Sequence, residues 1–438
     1  MSIVLFPCFP HDSLYLLHYS AKVWLSIFHR GTLMTQPIHP DLAVQLTDAL
    51  CRIRSFDEGE FESHVAFYIQ TYLKTYCPWL TTTLEHVADN RPNVIAYTGS
   101  LADCKLLIVG HIDTVAPSPD HLWTVPEFSI KDGKYYARGS GDAKGGIAGV
   151  LDGMRLTGET QNVAYLFYVD EEFAFAGMKH FVTKHPDVQP DLILSACGGS
   201  AEMTAGCRGC IEFCFALAGT AGHAARPQLF DSVVPAIRFV TEQLETWCDR
   251  HSDPYRTSIN VAALHVGLLK DTIPASPNTD ADISPEQLIP EMRHAANNVP
   301  NVAWALVDIR PGDPTINPTS IEDMIEHLIG VYNAEHDKDI TLEQFYTRFA
   351  VAGYHSPAGS YDVISRHFER VHEGRESDAN VRGYIDVAMI HGNQPTSGCV
   401  CLAPLKANEH SPDEWVDIAS LLAYRDGVVR LLSDYQPT

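Results

Sequence analysis

At 438 residues the chain is longer than one hydrophobic core usually serves, so two domains are expected, and an apolar fraction of 45% can fill both. Its 31 Lys and Arg against 55 Asp and Glu leave a formal charge of −24, which argues against nucleic acid or an anionic membrane as a partner and for a soluble cytoplasmic protein. Eleven cysteines, an odd number without framework spacing, argue against a secreted disulfide scaffold.

Residues 1–33 are apolar and aromatic, but His11, Asp12, Lys22, His29 and Arg30 interrupt them, so the roughly 20 apolar residues of a transmembrane helix are not there. No basic region precedes the first apolar run and no clear small-residue cleavage site follows, so a signal peptide fits little better. Met34-Thr35-Gln36-Pro37 looks like an ordinary protein start, and 1–33 is expected to be an N-terminal extension outside the core fold. From Pro40 the apolar positions Leu42, Val44, Leu46, Ala49, Leu50 and Ile53 predict a helix, ended by Arg54-Ser55-Phe56-Asp57-Glu58-Gly59. A second amphipathic helix over 62–76 and strands near 84–87 and 93–98 follow. Helices alternating with apolar strands predict an α/β sheet covered on both faces.

The short apolar run 106–109, bounded by Gly110, reads as a strand buried on both faces, with His111 and Asp113 at its C-terminal edge. Residues i and i+2 share a face, so Asp113 can hydrogen-bond one nitrogen of an imidazole whose other nitrogen holds a metal. In Ala137-Arg138-Gly139-Ser140-Gly141-Asp142-Ala143-Lys144-Gly145-Gly146 the glycines permit a sharp turn, and a small-residue helix is predicted from Ala143 onward. Asp142 then stands at a strand-to-helix junction. A buried strand over 163–169 ends in Asp170-Glu171-Glu172, where open α/β sheets bind ligands, although paired glutamates taken alone read as a solvated helix start. The next strand, 191–196, leads into Cys197-Gly198-Gly199-Ser200.

These segments resemble the metallopeptidase family that contains acetylornithine deacetylase, succinyl-diaminopimelate desuccinylase, aminoacylase and carboxypeptidase G. Members carry His-x-Asp and then Gly-Arg-Gly-x-x-Asp-x-Lys-Gly-Gly, and the likeness runs from about Pro40 to Leu432. It implies an α/β, zinc-peptidase-like catalytic domain with a mainly parallel central sheet flanked by helices, formed by 34–209 and 351–438. An inserted α+β, ferredoxin-like lid and dimerisation domain would occupy 210–350. The lid's own pattern gives strand 211–218, helix 232–247, strands 258–266 and 302–309, helix 320–334 and strand 338–347, the split β-α-β order.

The resemblance also implies two zinc ions, with cobalt or manganese as substitutes. Asp142 would bridge them, one ion being held by His111 and Cys197 and the other by Glu172 and His410. His410 falls in Asn408-Glu409-His410-Ser411-Pro412-Asp413-Glu414-Trp415, which resembles the family's Ala-His-x-Pro-Asp-Glu. Glu171 would be the general base, Asp113 would orient His111, and the Asp142–Ala143 peptide would be cis. Ala218-Gly219-Thr220-Ala221-Gly222-His223 resembles Gly-x-Ala-x-His, which makes His223 the expected oxyanion donor from a lid often swapped across a dimer. Asn298, in Asn298-Val299-Pro300, and Arg310, in Val307-Asp308-Ile309-Arg310, resemble lid motifs that hold the polar end of the substrate.

Cys197 departs from the pattern, because ungapped counting from Asp191 to Gly206-Cys207-Arg208-Gly209 places it where the family has a metal-binding Glu. Thiolate is also a good zinc ligand, so the ligand class changes without emptying the site. Should the thiol be a bystander, the centre is a single-metal variant or takes another ligand such as Glu202. Cys207-x-x-Cys210-x-x-x-Cys214 has the outline of a zinc knuckle or redox motif, but 210–217 reads as a strand with buried cysteines and no second Cys/His pair stands at finger spacing. A Pro-, Asp- and Ser-rich stretch between Gly267 and Asn298 is expected to be a surface loop. Glu376-Ser377-Asp378-Ala379 loosely resembles a family turn and is assigned no chemistry.

The resemblance therefore implies a homodimeric hydrolase of N-acyl amino acids, acetylornithine deacetylase-like or succinyl-diaminopimelate desuccinylase-like. A dipeptidase or carboxypeptidase is the alternative enzyme. A non-catalytic metal-binding protein is the rival from another class, and retention of Glu171 and Asp113, which metal storage would not need, argues against it.

Overall fold

The computed structural model describes residues 37–56, 61–253, 255–267, 297–357, 359–372, 385, 387–393 and 397–435. The expectations for residues 1–33, for the stretch after Gly267 and for Glu376–Ala379 lie outside them.

Two amphipathic helices, α1 (Leu42–Arg52) and α2 (Ser63–Tyr76), lead into an antiparallel pair, β1 (Thr81–Ala88) and β2 (Arg91–Tyr97). The chain continues through β3 (Leu106–His111), α3 (Gly145–Thr157), β4 (Val163–Tyr168), α4 (Ala176–Lys184) and β5 (Leu192–Ser200). These strands and β10, described below, form one six-stranded sheet in the order β1-β2-β4-β3-β5-β10. Its four strands β4, β3, β5 and β10 are parallel, and β1 and β2 close one side.

Alternation along β3 shows why its run is apolar throughout. Leu106 and Ile108 join the core shared with α1, α2 and α3, whereas Leu107 and Val109 join the core shared with α4 on the other face. A parallel sheet covered by helices on both faces demands this pattern. At Gly146 a side-chain carbon would lie 2.3 Å from the Ala196 carbonyl oxygen, so glycine is what lets α3 press its start against β5.

The chain leaves this sheet for a second body, β6 (Cys210–Ala218), α5 (Val233–Arg250), β7 (Ser258–Gly267), β8 (Val302–Arg310), α6 (Pro318–His336) and β9 (Thr341–Val351). Its sheet runs β7-β8-β6-β9 and is antiparallel throughout. Phe213, Phe215 and Leu217 of β6, Val240 and Leu244 of α5 and Ile325 of α6 share a core separate from those of the first sheet. Asn317 caps α6 reciprocally with Ser320, and Pro318 occupies the first turn, where a missing N–H costs nothing. Helix α7 (Ser360–His372), β10 (Gly398–Ala403) and α8 (Ile418–Ser433) then complete the first body.

Boundaries differ from the sequence reading at two informative places. The predicted strand 191–196 continues to Ser200, carrying Cys197 within it, because β10 pairs alongside as far as Ser200. The predicted helix at Ala143 begins at Gly145, since Asp142 and Ala143 keep extended or irregular backbone angles and the peptide between them is cis, as the resemblance implied.

Candidate metal centre

The donors gather at the C-terminal edge of the parallel strands. His111 ends β3, Glu171 and Glu172 follow β4, Cys197 lies near the end of β5, and Asp142 occupies the turn before α3. His410 reaches the same edge from the loop after β10, in a left-handed conformation with φ of 60°.

Three groups of side chains bring their donor atoms within 4.8 Å of one another: His111 with Asp142 and Cys197, His111 with Glu171 and Glu172, and Asp142 with Glu172 and His410. The two oxygens of Asp142 divide between two sides. Oδ1 is 3.2 Å from His111 Nε2 and 3.3 Å from Cys197 Sγ, and Oδ2 is 3.6 Å from His410 Nε2. Glu172 Oε2 lies 3.1 Å from His410 Nε2, while its Oε1 is buried with no hydrogen-bond partner. A buried carboxylate oxygen without a donor is costly unless a cation faces it, so this oxygen suits a metal ion beside Glu172. Imidazole, thiol and carboxylate donors suit zinc and its first-row neighbours.

Asp113, buried, places Oδ1 3.4 Å from His111 Nδ1 and accepts the Glu172 amide on Oδ2 at 3.0 Å. It therefore stands behind the ring that ends β3 and holds the backbone that carries Glu172. Burial alone would push the Asp142 carboxyl up, yet Lys406, His111 and His410 hold it well below the usual range. His410, between Asp142 and Glu172, is raised to about 10 in the absence of an ion. Burial and the Asp142 charge push the Cys197 thiol up to about 12, against the opposing pull of His111 and Lys406.

Two residues of this centre received no role from the sequence. Glu414 is buried; its Oε2 accepts Arg138 and the Gly139 amide, and its Oε1 accepts the amides of Gly141 and Asp142 at 3.0 and 3.1 Å. One carboxylate thus ties down the turn that aims Asp142, which explains why Arg138 and the Asp-Glu pair belong to the same motif set. Lys406 is equally buried and lies 3.5 Å from Asp142 Oδ1.

The residues expected on a lid are placed differently. His223 and Asn298 face each other in a two-stranded ribbon, so the fold does bring these two together. The Ala225 amide donates to His223 Nδ1 at 3.0 Å, which puts the proton of the neutral ring on Nε2. Arg310 is bound bidentately by Asp308 through Nε and Nη2, both at 2.8 Å, and Nη1 takes no part in that pair. Cys210 also lies near Glu212 and Asp308, but Arg348 and Arg310 already neutralise those carboxylates. Glu202 belongs to none of the donor groups found among the described residues.

Residues 107–434 match the model of peptidase family M20/M25/M40. The acetylornithine deacetylase of Proteus mirabilis is 24% identical over 362 residues, covering 78% of this chain and 82% of that protein. The crystal structure of aminopeptidase PepT from Bacillus cereus superposes with a TM-score of 0.67 at 15% identity, covering 91% of this chain and 100% of the other. A dinuclear metal-binding peptidase of the M20 family from Bacillus subtilis gives a TM-score of 0.60 at 13% identity, covering 90% and 97%. The chain belongs to peptidase family M20/M25/M40 and is a hydrolase of that metallopeptidase family.

Proposed function

We propose that the protein hydrolyses the amide bond of an N-acyl amino acid, as a deacetylase or desuccinylase does, with two zinc ions at the edge of the parallel sheet. The observation that carries this reading is the placement of Glu171 in one donor group with His111 and Glu172. A carboxylate beside the ligands, and in addition to them, is what a general base requires and what metal storage does not. When bound, the metal pair supplies Lewis-acid polarisation and lowers the pKa of water toward about 7.

The chain's own residues do the rest. Glu171 takes the proton as the water oxygen joins the carbonyl carbon, and gives it to the amine nitrogen as the C–N bond breaks. Asp113 keeps His111 oriented throughout. His223, with its proton on Nε2, donates to the developing oxyanion, and the lid delivers it within a homodimer. Asn298 and the uncommitted Nη1 of Arg310 hold the carboxylate end of the substrate.

The likeness to an aminopeptidase fold keeps dipeptides in view as the alternative substrate, since the same centre cleaves either amide. A panel of N-acetyl and N-succinyl amino acids and dipeptides, assayed with zinc, cobalt or manganese, tests the reading. Turnover of an N-acyl amino acid abolished by Glu171→Gln is the expected result. Preference for dipeptides replaces the deacylase with a dipeptidase, and metal binding without turnover of any amide overturns the enzyme reading.

A further inference from the structure

Three successive residues after α1, Ile53, Arg54 and Ser55, tie together turns that lie far apart in the chain. The buried ammonium of Lys144, two places after Asp142, donates to the Ile53 carbonyl at 2.8 Å. Arg54 forks onto Glu127 at 3.1 and 2.9 Å, and the same Glu127 accepts the Arg138 amide at 3.1 Å. Ser55 makes the third attachment. Its hydroxyl donates to the Ile112 carbonyl at 2.8 Å, and its own carbonyl accepts the Thr114 amide at 3.0 Å.

Those two bonds bracket Asp113. The Ile112 carbonyl belongs to the peptide plane before its Cα, and the Thr114 amide to the plane after it. Each plane is rigid, so holding both fixes φ and ψ of Asp113 and, with them, the direction of its Cβ. Ser55 is 1% exposed and Asp113 2%, so both bonds are made away from bulk solvent, where a lost partner is costly.

The direction matters because the contact it serves has little slack. Asp113 Oδ1 and His111 Nδ1 face each other at 3.4 Å, and neither atom has another hydrogen-bond partner among the described residues. Asp113 Oδ2 is already committed to the Glu172 amide at 3.0 Å. A shift of the Asp113 backbone by roughly half an ångström therefore makes or breaks the hold on the ring. The other nitrogen of that ring, Nε2, is the one 3.2 Å from Asp142 Oδ1.

We propose that Ser55 is a positioning residue for the hydrolytic centre, acting through Asp113 on the orientation of His111. The inference rests on the reading above, in which Asp113 orients His111 for metal binding and amide hydrolysis. It adds that the segment ending α1 takes part in assembling the site.

A double-mutant cycle separates this role from a purely structural one, because removing Asp113 leaves Ser55 nothing to position. Zinc affinity is measured by competition with a chromophoric chelator, and turnover at saturating metal with the substrate that the amide panel identifies. Ser55→Ala deletes the hydroxyl and leaves the backbone bond. It is expected to weaken zinc binding about tenfold and to lower kcat about tenfold at unchanged KM. Ser55→Thr keeps the hydroxyl and restores both. Should the added methyl not be accommodated, Ser55→Cys, a weaker donor of similar shape, falls between serine and alanine. In an Asp113→Ala background, Ser55→Ala costs less than about twofold in either measurement. Equal losses in the two backgrounds, or no loss in the otherwise unmodified protein, overturn the proposal. Zinc binding without turnover of any amide sinks the hydrolase reading and leaves the affinity cycle to decide the role of Ser55. A chain that binds no zinc overturns both.

Discussion

The two bodies of this molecule both have dry cores, but they treat charge in opposite ways. The catalytic body buries Glu62, His111, Asp113, Arg138, Lys144, Asp152, Asp170, Lys406 and Glu414, among others. Among the described residues of the second body, the buried polar side chains are Thr241 and Thr257. Arg91 illustrates the first arrangement, with Glu62 at 2.6 Å and Asp170 at 2.9 Å, an ion network set against the strand that leads to Glu171. The second body packs its sheet and helices through apolar residues, with His223 exposed and Arg310 half-buried. Buried charge is costly unless paired, so in the catalytic body stability and chemistry draw on the same residues. In the second body the core holds no charged side chain among the described residues.

Glu171, a half-buried residue beside the metal donors, should affect chemistry alone. Glu171→Gln is expected to keep metal and fold but to lose about 10²–10⁴-fold in turnover, because an amide cannot accept the water's proton. Turnover near normal removes Glu171 from the mechanism. Glu414→Ala should show the opposite mixture. It leaves Arg138 buried without its carboxylate and frees four donors, so unfolding measurements should show a loss of about 3–5 kcal/mol. Metal content should fall with it, since the turn carrying Asp142 loses its anchor. A variant that lost stability but kept its metal would break the claim that one network serves both.

How much of this was legible in the sequence follows from the range over which each signal acts. The strand ending in His111 announced itself by an apolar run and a two-residue alternation, and the Asp142 turn by its glycines. The six elements between 210 and 351 were readable because each alternates or repeats locally, and all six are present within a few residues of their predicted limits. Lys406 was not assigned, because between Leu405 and Ala407 a lysine reads as a solvated residue. Only its pairing with Ser200, 206 positions away, brings it to Asp142. Glu414 was visible within a motif, yet its job is to accept backbone amides from Gly139 to Asp142, and backbone donors leave no mark in a sequence.

His223 tests the other side of the comparison. As an exposed residue on a short ribbon it supports no core, so His223→Ala should leave unfolding and metal content unchanged. Turnover should drop by about 10²–10³, the usual loss for one oxyanion donor, with the change in kcat and not in KM. An equal loss of stability would mean that the lid, too, folds through its functional residues.

The smallest expected effect concerns the contact between the bodies. Phe175, just before α4, stacks on Phe349 of the lid strand β9 with ring centroids 5.0 Å apart, and Lys179 Nζ lies 4.8 Å from the Phe349 ring. If the lid is a scaffold that folds for itself, this contact couples two otherwise separate cores. A double-mutant cycle with Phe175→Leu and Phe349→Leu should then give a coupling of about 0.5–1.5 kcal/mol, the usual worth of an aromatic pair beyond its buried area. Truncating both rings to Leu keeps most of the apolar volume at each position, so the cycle isolates the stacking from the cost of a cavity. If the two bodies unfold in separate transitions, the coupling should appear as a change in the gap between them. Strict additivity would show the bodies to be independent through this contact, and would assign any closure of the lid to the substrate alone. A coupling well above this range would mean the opposite: the apolar lid would borrow stability from the charged body, and the division drawn between them would fail at this contact.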